Sequence, residues 1–167
     1  TNLKEHRECK QKIRSLFNLG NDSVHINDTH PETIRYAQLF FNKNSLHFIN
    51  NAQPKQFKKF YSLLDELNKI VEENELDRDR ICIESSAVLS AYGIRDCNDL
   101  DLLVKGYEEK IESLHNPFIG LHHEELKYHA YAKDDIIFNP ELHFYFKGFK
   151  FASLEVVKKM KQKRNEE

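Results

Sequence analysis

Asp99 and Asp101 stand one residue apart in the run DLDLLV, residues 99–104. An extended strand puts alternate side chains on one face, about 7 Å apart along the chain, so two carboxylates at this spacing can share one or two divalent cations. Without a cation the pair is costly, because like charges raise each other's pKa. Magnesium removes the repulsion and at the same time makes a clamp for phosphate oxygens. Upstream, Ser85 and Ser86 follow the apolar run ICI and Glu84. Arg95 lies in the linker IRDCN, where a guanidinium can brace a phosphate bidentately or pair with Asp96 or the two aspartates. His122-His123-Glu124 has the residue types of a transition-metal site, but adjacent histidines seldom chelate one ion and no spaced fourth ligand accompanies them, so zinc is not expected. His143 alternates with aromatic residues, a pattern that reads as packing.

The elements that must hold these groups can be read from periodicity. Residues 4–17 suggest a short amphipathic helix ended by a turn at Gly20-Asn21-Asp22, followed by an extended piece over 23–27. Thr29 can cap a helix running to Asn42, whereas residues 45–49 suit a strand or a helical turn equally. The clearest helix covers 54–75, where Phe57, Phe60, Leu63, Leu64, Leu67, Ile70 and Val71 form one apolar stripe. ICIE reads as a buried strand, SAVLSAY as a short helix ended by Gly93, and DLDLLV as a second strand. Residues 107–114 suggest helix and 127–138 suggest β structure. Residues 142–153 read as a hairpin turning at Lys147-Gly148, and Ser153 caps a final helix.

Residues 81–104 resemble the nucleotidyltransferase-fold (polymerase-beta-like) superfamily, whose members share a hydrophobic strand, a Gly-Ser or Gly-Gly turn, a short helix, and D-h-[DE]-h on the next strand, h being hydrophobic. ICI matches the strand, Ser85-Ser86 the turn, AVLSAYG the helix and Asp99-Leu100-Asp101-Leu102 the carboxylate pair, with twelve residues between Ser86 and Asp99. The resemblance implies Mg2+ on Asp99 and Asp101, a nucleoside triphosphate contacted by Ser85, Ser86 and Arg95, and a third carboxylate on a neighbouring strand that acts as base. Asp135 is the choice for that base, with Asp134 the alternative. One departure stands at the turn, where Ser85 replaces the usual glycine and follows Glu84. The segment GFKFASLEVVKKMKQKR is similar to the region after the third strand in small members of the family. The order of helix, G-x-R, loop and D-x-D also resembles LicD-like phosphotransferases.

The expected fold is α+β, a mixed nucleotidyltransferase-like sheet flanked by helices. An N-terminal helical segment (1–75) would precede the core (76–167), the whole forming one compact domain cut from a longer protein. With 25 Lys+Arg against 27 Asp+Glu, net charge gives no reason to expect a nucleic-acid partner. Three cysteines without CxxC spacing indicate neither a disulfide framework nor a zinc knuckle and fit a reducing cytoplasm. No apolar run approaches membrane-spanning length. The expected activity is transfer of a nucleoside monophosphate to a hydroxyl or phosphate acceptor, with a sugar or glycan in surface-polysaccharide assembly as the favoured class. A non-catalytic binding domain of the same fold is the alternative.

Overall fold

The computed structural model describes residues 3–18, 20, 23, 27 and 29–165. The chain divides into two units, residues 1–38 and 39–167. In the first, α1 (Leu3–Phe17) carries Glu5 in its first turn and Arg14 in its last, charges that oppose the helix dipole favourably. Thr29 accepts a hydrogen bond from the Glu32 amide at the start of α2 (His30–Phe40), as its hydroxyl suggests. Residues 21, 22 and 24–26, where a turn and an extended piece were expected, lie outside the described residues.

The second unit is α+β. Residues left open between strand and helix become α3 (Lys43–Asn51), because the Asn42 carboxamide caps it by accepting from the Ser45 amide. The same side chain donates to the carbonyls of Pro140 and His143. Then follow α4 (Lys58–Glu73), β1 (Ile81–Glu84), α5 (Ser86–Ala91), β2 (Leu100–Val104), α6 (Glu108–Ser113), β3 (Ile119–Leu121), α7 (Lys133–Phe138), β4 (His143–Phe146), β5 (Phe149–Ala152) and α8 (Leu154–Lys163). The strands form one mixed sheet in the order β3-β2-β1-β5-β4, with β1–β5 and β2–β3 parallel and the other pairs antiparallel.

The stripe foreseen on α4 is the one that packs: Phe60, Leu63, Leu64, Leu67 and Val71 are all buried. Phe60 meets Phe146 and Phe151 of the hairpin, and Phe48 of α3 stacks on Phe144 at 4.7 Å. These aromatic contacts fill the core in place of tryptophan. Lys147 and Gly148 both take positive φ, 52° and 79°, so the two-residue hairpin turn lies where expected. Gly93 ends the short helix after β1 with φ +72, and a Cβ there would lie 2.5 Å from the Gln53 carbonyl oxygen. No other residue fits that position.

Two expectations about 117–138 are corrected. Strand β3 was not foreseen, since three residues containing glycine carry too little pattern. Residues 127–138 are not β: they end a 3-10 turn (Glu124–Tyr128) and then form α7. Asp134 and Asp135 in the first turn of α7 are favoured by its dipole, and the adjacent Ile136 and Ile137 are both buried. Intrinsic β-preference of isoleucine is a weak force against that packing. Among the described residues, no helix is long and apolar enough to cross a membrane.

Candidate functional site: a carboxylate and histidine cluster at one end of the sheet

Strand alternation assembles the site. In β1, Cys82 and Glu84 share a face. Their partners in β2 are Leu103 and Asp101, and Asp101 is in turn paired with Gly120 in β3. Lys150 of β5 pairs with Cys82, and its ammonium lies over the Phe138 ring of α7, so α7 covers this face while α3 and α4 cover the other. His122 follows β3 with its amide bonded to the Leu102 carbonyl, two residues beyond Gly120 and on the same face. Glu84, Asp101 and His122 therefore form a polar row across three strands, at the end where β1 turns into α5.

Asp99 lies one residue before β2 and is exposed, whereas Asp101 is half-buried. Burial raises the Asp101 carboxyl above its ordinary value. The charges of Asp99 and Glu84 push it further, while His122 and a hydrogen bond from the Ser85 hydroxyl act in the opposite sense. The two aspartates foreseen as a pair are thus electrostatically coupled. Ser85 is itself buried and has φ 59° and ψ −132°, a conformation that glycine adopts freely and a residue with a Cβ does not. The backbone thus makes a glycine-type turn with a serine in it. Ser86 opens α5 and is half-buried, while Arg95 and Asp96 are both exposed.

Glu84 is fully buried, and two histidines meet its carboxylate. His122 Nδ1 lies 2.8 Å from Oε1 in hydrogen-bonding geometry, and His129 Nε2 lies 2.8 Å from Oε2. Burial alone would raise the Glu84 carboxyl, but the two facing histidines outweigh it and hold the group below its ordinary value. Burial would likewise lower His122, yet Glu84, Asp101 and Glu125 together raise it. His129 arrives from the end of the 3-10 turn, which is tied down where Arg164 of α8 meets the Glu125 carboxylate at 3.1 Å and stacks over Tyr128.

Asp135 is not strand-borne as the base role was expected to require. It is exposed on α7 and lines a groove with Asn44, Tyr131, Asn139, Glu141 and Ser153, which none of Glu84, Asp99, Asp101 or His122 lines. Asp134 pairs with Lys105 just beyond the far end of β2, 2.6 Å away. Of the two strands beside β2, β3 leads into a histidine of the cluster and β1 ends in its carboxylate, Glu84. Sequence reasoning missed Glu84 and His129, although one signal was available: an acid closing a wholly apolar strand must find buried partners, and folding chooses these among the eight histidines and lysines of 122–133 and 143–150. The chain matches no protein-family model, no curated protein and no solved structure.

Proposed function

We propose that residues 81–104 form the cation- and nucleotide-binding part of a magnesium-dependent nucleotidyltransferase, which moves a nucleoside monophosphate from a nucleoside triphosphate to a hydroxyl or phosphate acceptor. The observation that carries this reading is the Asp99–Asp101 pair beside the Ser85 turn. Asp101 is held half-buried against two further carboxylates, at a cost that a divalent cation would remove. The donor set suits Mg2+, being carboxylate oxygen. Asp99 and Asp101 would hold the ion, which when bound supplies Lewis-acid stabilisation of charge on a phosphoryl group. The Ser85 hydroxyl orients the Asp101 carboxylate, and the neighbouring Ser86 stands at the phosphate side of the turn. Asp135 is given no part in activating the acceptor. A sugar or glycan acceptor rests on the family resemblance alone.

A second reading has an observation of its own: a side chain fills the turn where glycine would leave room for phosphate, and the third carboxylate beside Asp101, Glu84 of β1, is buried against two histidines. This favours a domain of the same type that binds nucleotide without turnover. Calorimetric titration of each nucleoside triphosphate with Mg2+ into the protein and into Asp99→Ala/Asp101→Ala, with pyrophosphate assayed alongside, separates the two. Magnesium-dependent binding lost in the variant supports both. Pyrophosphate release selects the enzyme, and absence of binding to either protein rejects nucleotide as the ligand.

A further inference from the structure

Glu84, His122 and His129 carry an arrangement that hydrogen bonding does not account for. The Glu84 and His129 side chains are wholly buried, and one ligand atom from each of the three residues lies within 4.8 Å of the others. His129 Nε2 and Glu84 Oε2 are 2.8 Å apart, yet neither has a hydrogen-bond partner among the described residues, because they meet off the line that a hydrogen bond needs. Buried polar atoms without partners are rare and expensive. Two such atoms can serve one ion after a small relaxation from 2.8 Å, since bonds of about 2.0–2.1 Å in tetrahedral geometry put ligand atoms roughly 3.3 Å apart.

We propose that Glu84, His122 and His129 bind a zinc-type divalent cation, with two imidazole nitrogens and one carboxylate as ligands. This site goes beyond the magnesium pair and does not depend on it. Mixed nitrogen and oxygen donors suit zinc and its neighbours better than magnesium. Entry is through His122, the least buried of the three with 15% of its side chain exposed, which also lines a surface groove with Leu121, His123 and Glu124. Binding displaces the proton between His122 Nδ1 and Glu84 Oε1. The ion would pin the segment 122–129 to the end of β1, next to Asp101, and three protein ligands leave a fourth position for an exchangeable one.

The test uses the tag-free 167-residue chain, freed of metal with a chelator and then titrated with Zn2+ and with Co2+. The expected result is one equivalent bound per chain, a Co2+ visible spectrum of tetrahedral type, and a higher melting temperature with Zn2+. Glu84→Gln and His129→Asn, whose folding is checked by circular dichroism, should each weaken Zn2+ at least about tenfold, the smallest loss common even for outer-shell partners of a metal. Asp99→Ala should bind Zn2+ as the parent does. No uptake by the parent overturns the proposal, as does Zn2+ binding that survives Glu84→Gln and His129→Asn, or that is lost in Asp99→Ala alone. Failure here leaves the magnesium reading standing, since Asp99 and nucleotide are tested separately.

Discussion

Replacing Ser85 by glycine and by alanine separates two effects that one substitution would mix. The wild-type residue has φ 59° and ψ −132°, a conformation that costs a side-chain-bearing residue about 1–3 kcal/mol. Its hydroxyl also bonds the Asp101 carboxylate, a charged acceptor whose loss costs about 1–2 kcal/mol at this half-buried position. Alanine keeps the strain and loses the bond, so Ser85→Ala should be destabilised by about 1–2 kcal/mol. Glycine loses the same bond but escapes the strain, at an entropic cost of about 0.4–1 kcal/mol in the unfolded chain. Ser85→Gly should therefore be more stable than Ser85→Ala by about 1 kcal/mol, reversing the usual order of the two residues beside a helix. Urea denaturation of the three proteins reads the difference, which corresponds to roughly 2–4 °C in melting temperature for a chain of this size. Both variants should also show a higher Asp101 pKa by carboxylate NMR, because both lose a donor that lowers it. Alanine as stable as glycine would refute strain at the turn, and an unmoved Asp101 would refute the hydroxyl's role.

Asn42 caps α3 and donates to two carbonyls from a buried position, so Asn42→Ala should cost about 2–3 kcal/mol, seen as a fall of roughly 5–10 °C in melting temperature. Asn42→Asp restores only the cap and should recover less than half. His143 is pushed down to about 4, first by burial and then by the Lys150 charge, against the opposing pull of the Ile136 carbonyl and Asp79. Its depressed value means the unfolded chain takes up the proton first as pH falls. The stability it contributes is complete above about pH 6.5 and declines by about 3 kcal/mol as pH drops from 6.5 to 4. His143→Asn should show a correspondingly shallower fall in denaturation free energy over that window; equal slopes would mean that His143 titrates normally. Cys82 and Cys97 are buried with their thiols raised by burial, while Cys9 is exposed, so Ellman's reagent should titrate one thiol in the native protein and all three in denaturant.

The fold was legible where one physical signal dominated. The α4 stripe, the Lys147-Gly148 turn, the Ser153 cap and the Gly93 stop each rest on periodicity or on a conformation that few residues accept, and all stand as read. Residues 43–51 and 133–138 were ambiguous or misread because a short apolar run suits strand and helix alike. What decided them was tertiary: the Asn42 carboxamide anchored to β4 in one case, and the surface that α7 covers on the sheet in the other.

The site was half legible for the same reason. Asp99 and Asp101 are separated only by Leu100, so their nearness follows from the sequence itself, with Asp99 just ahead of β2 and Asp101 in it. Glu84, His122 and His129 span 46 positions of the chain, and only the pairing of β1 with β2 and of β2 with β3 makes them neighbours. His122-His123-Glu124 is not a local metal triplet, as expected of adjacent histidines, and nothing in the sequence marks which distant side chains His122 would meet. The useful partner of His122 is Glu84 two strands away, and His123 takes no part in the cluster. Glu84 also sets a limit on how the aspartate pair can work. It is the residue across from Asp101, so its charge must be absorbed before Asp101 can hold a cation at neutral pH, and the two histidines that meet the Glu84 carboxylate are placed to absorb it. Removing them should weaken Mg2+ at Asp99 and Asp101 even though neither histidine need touch that ion.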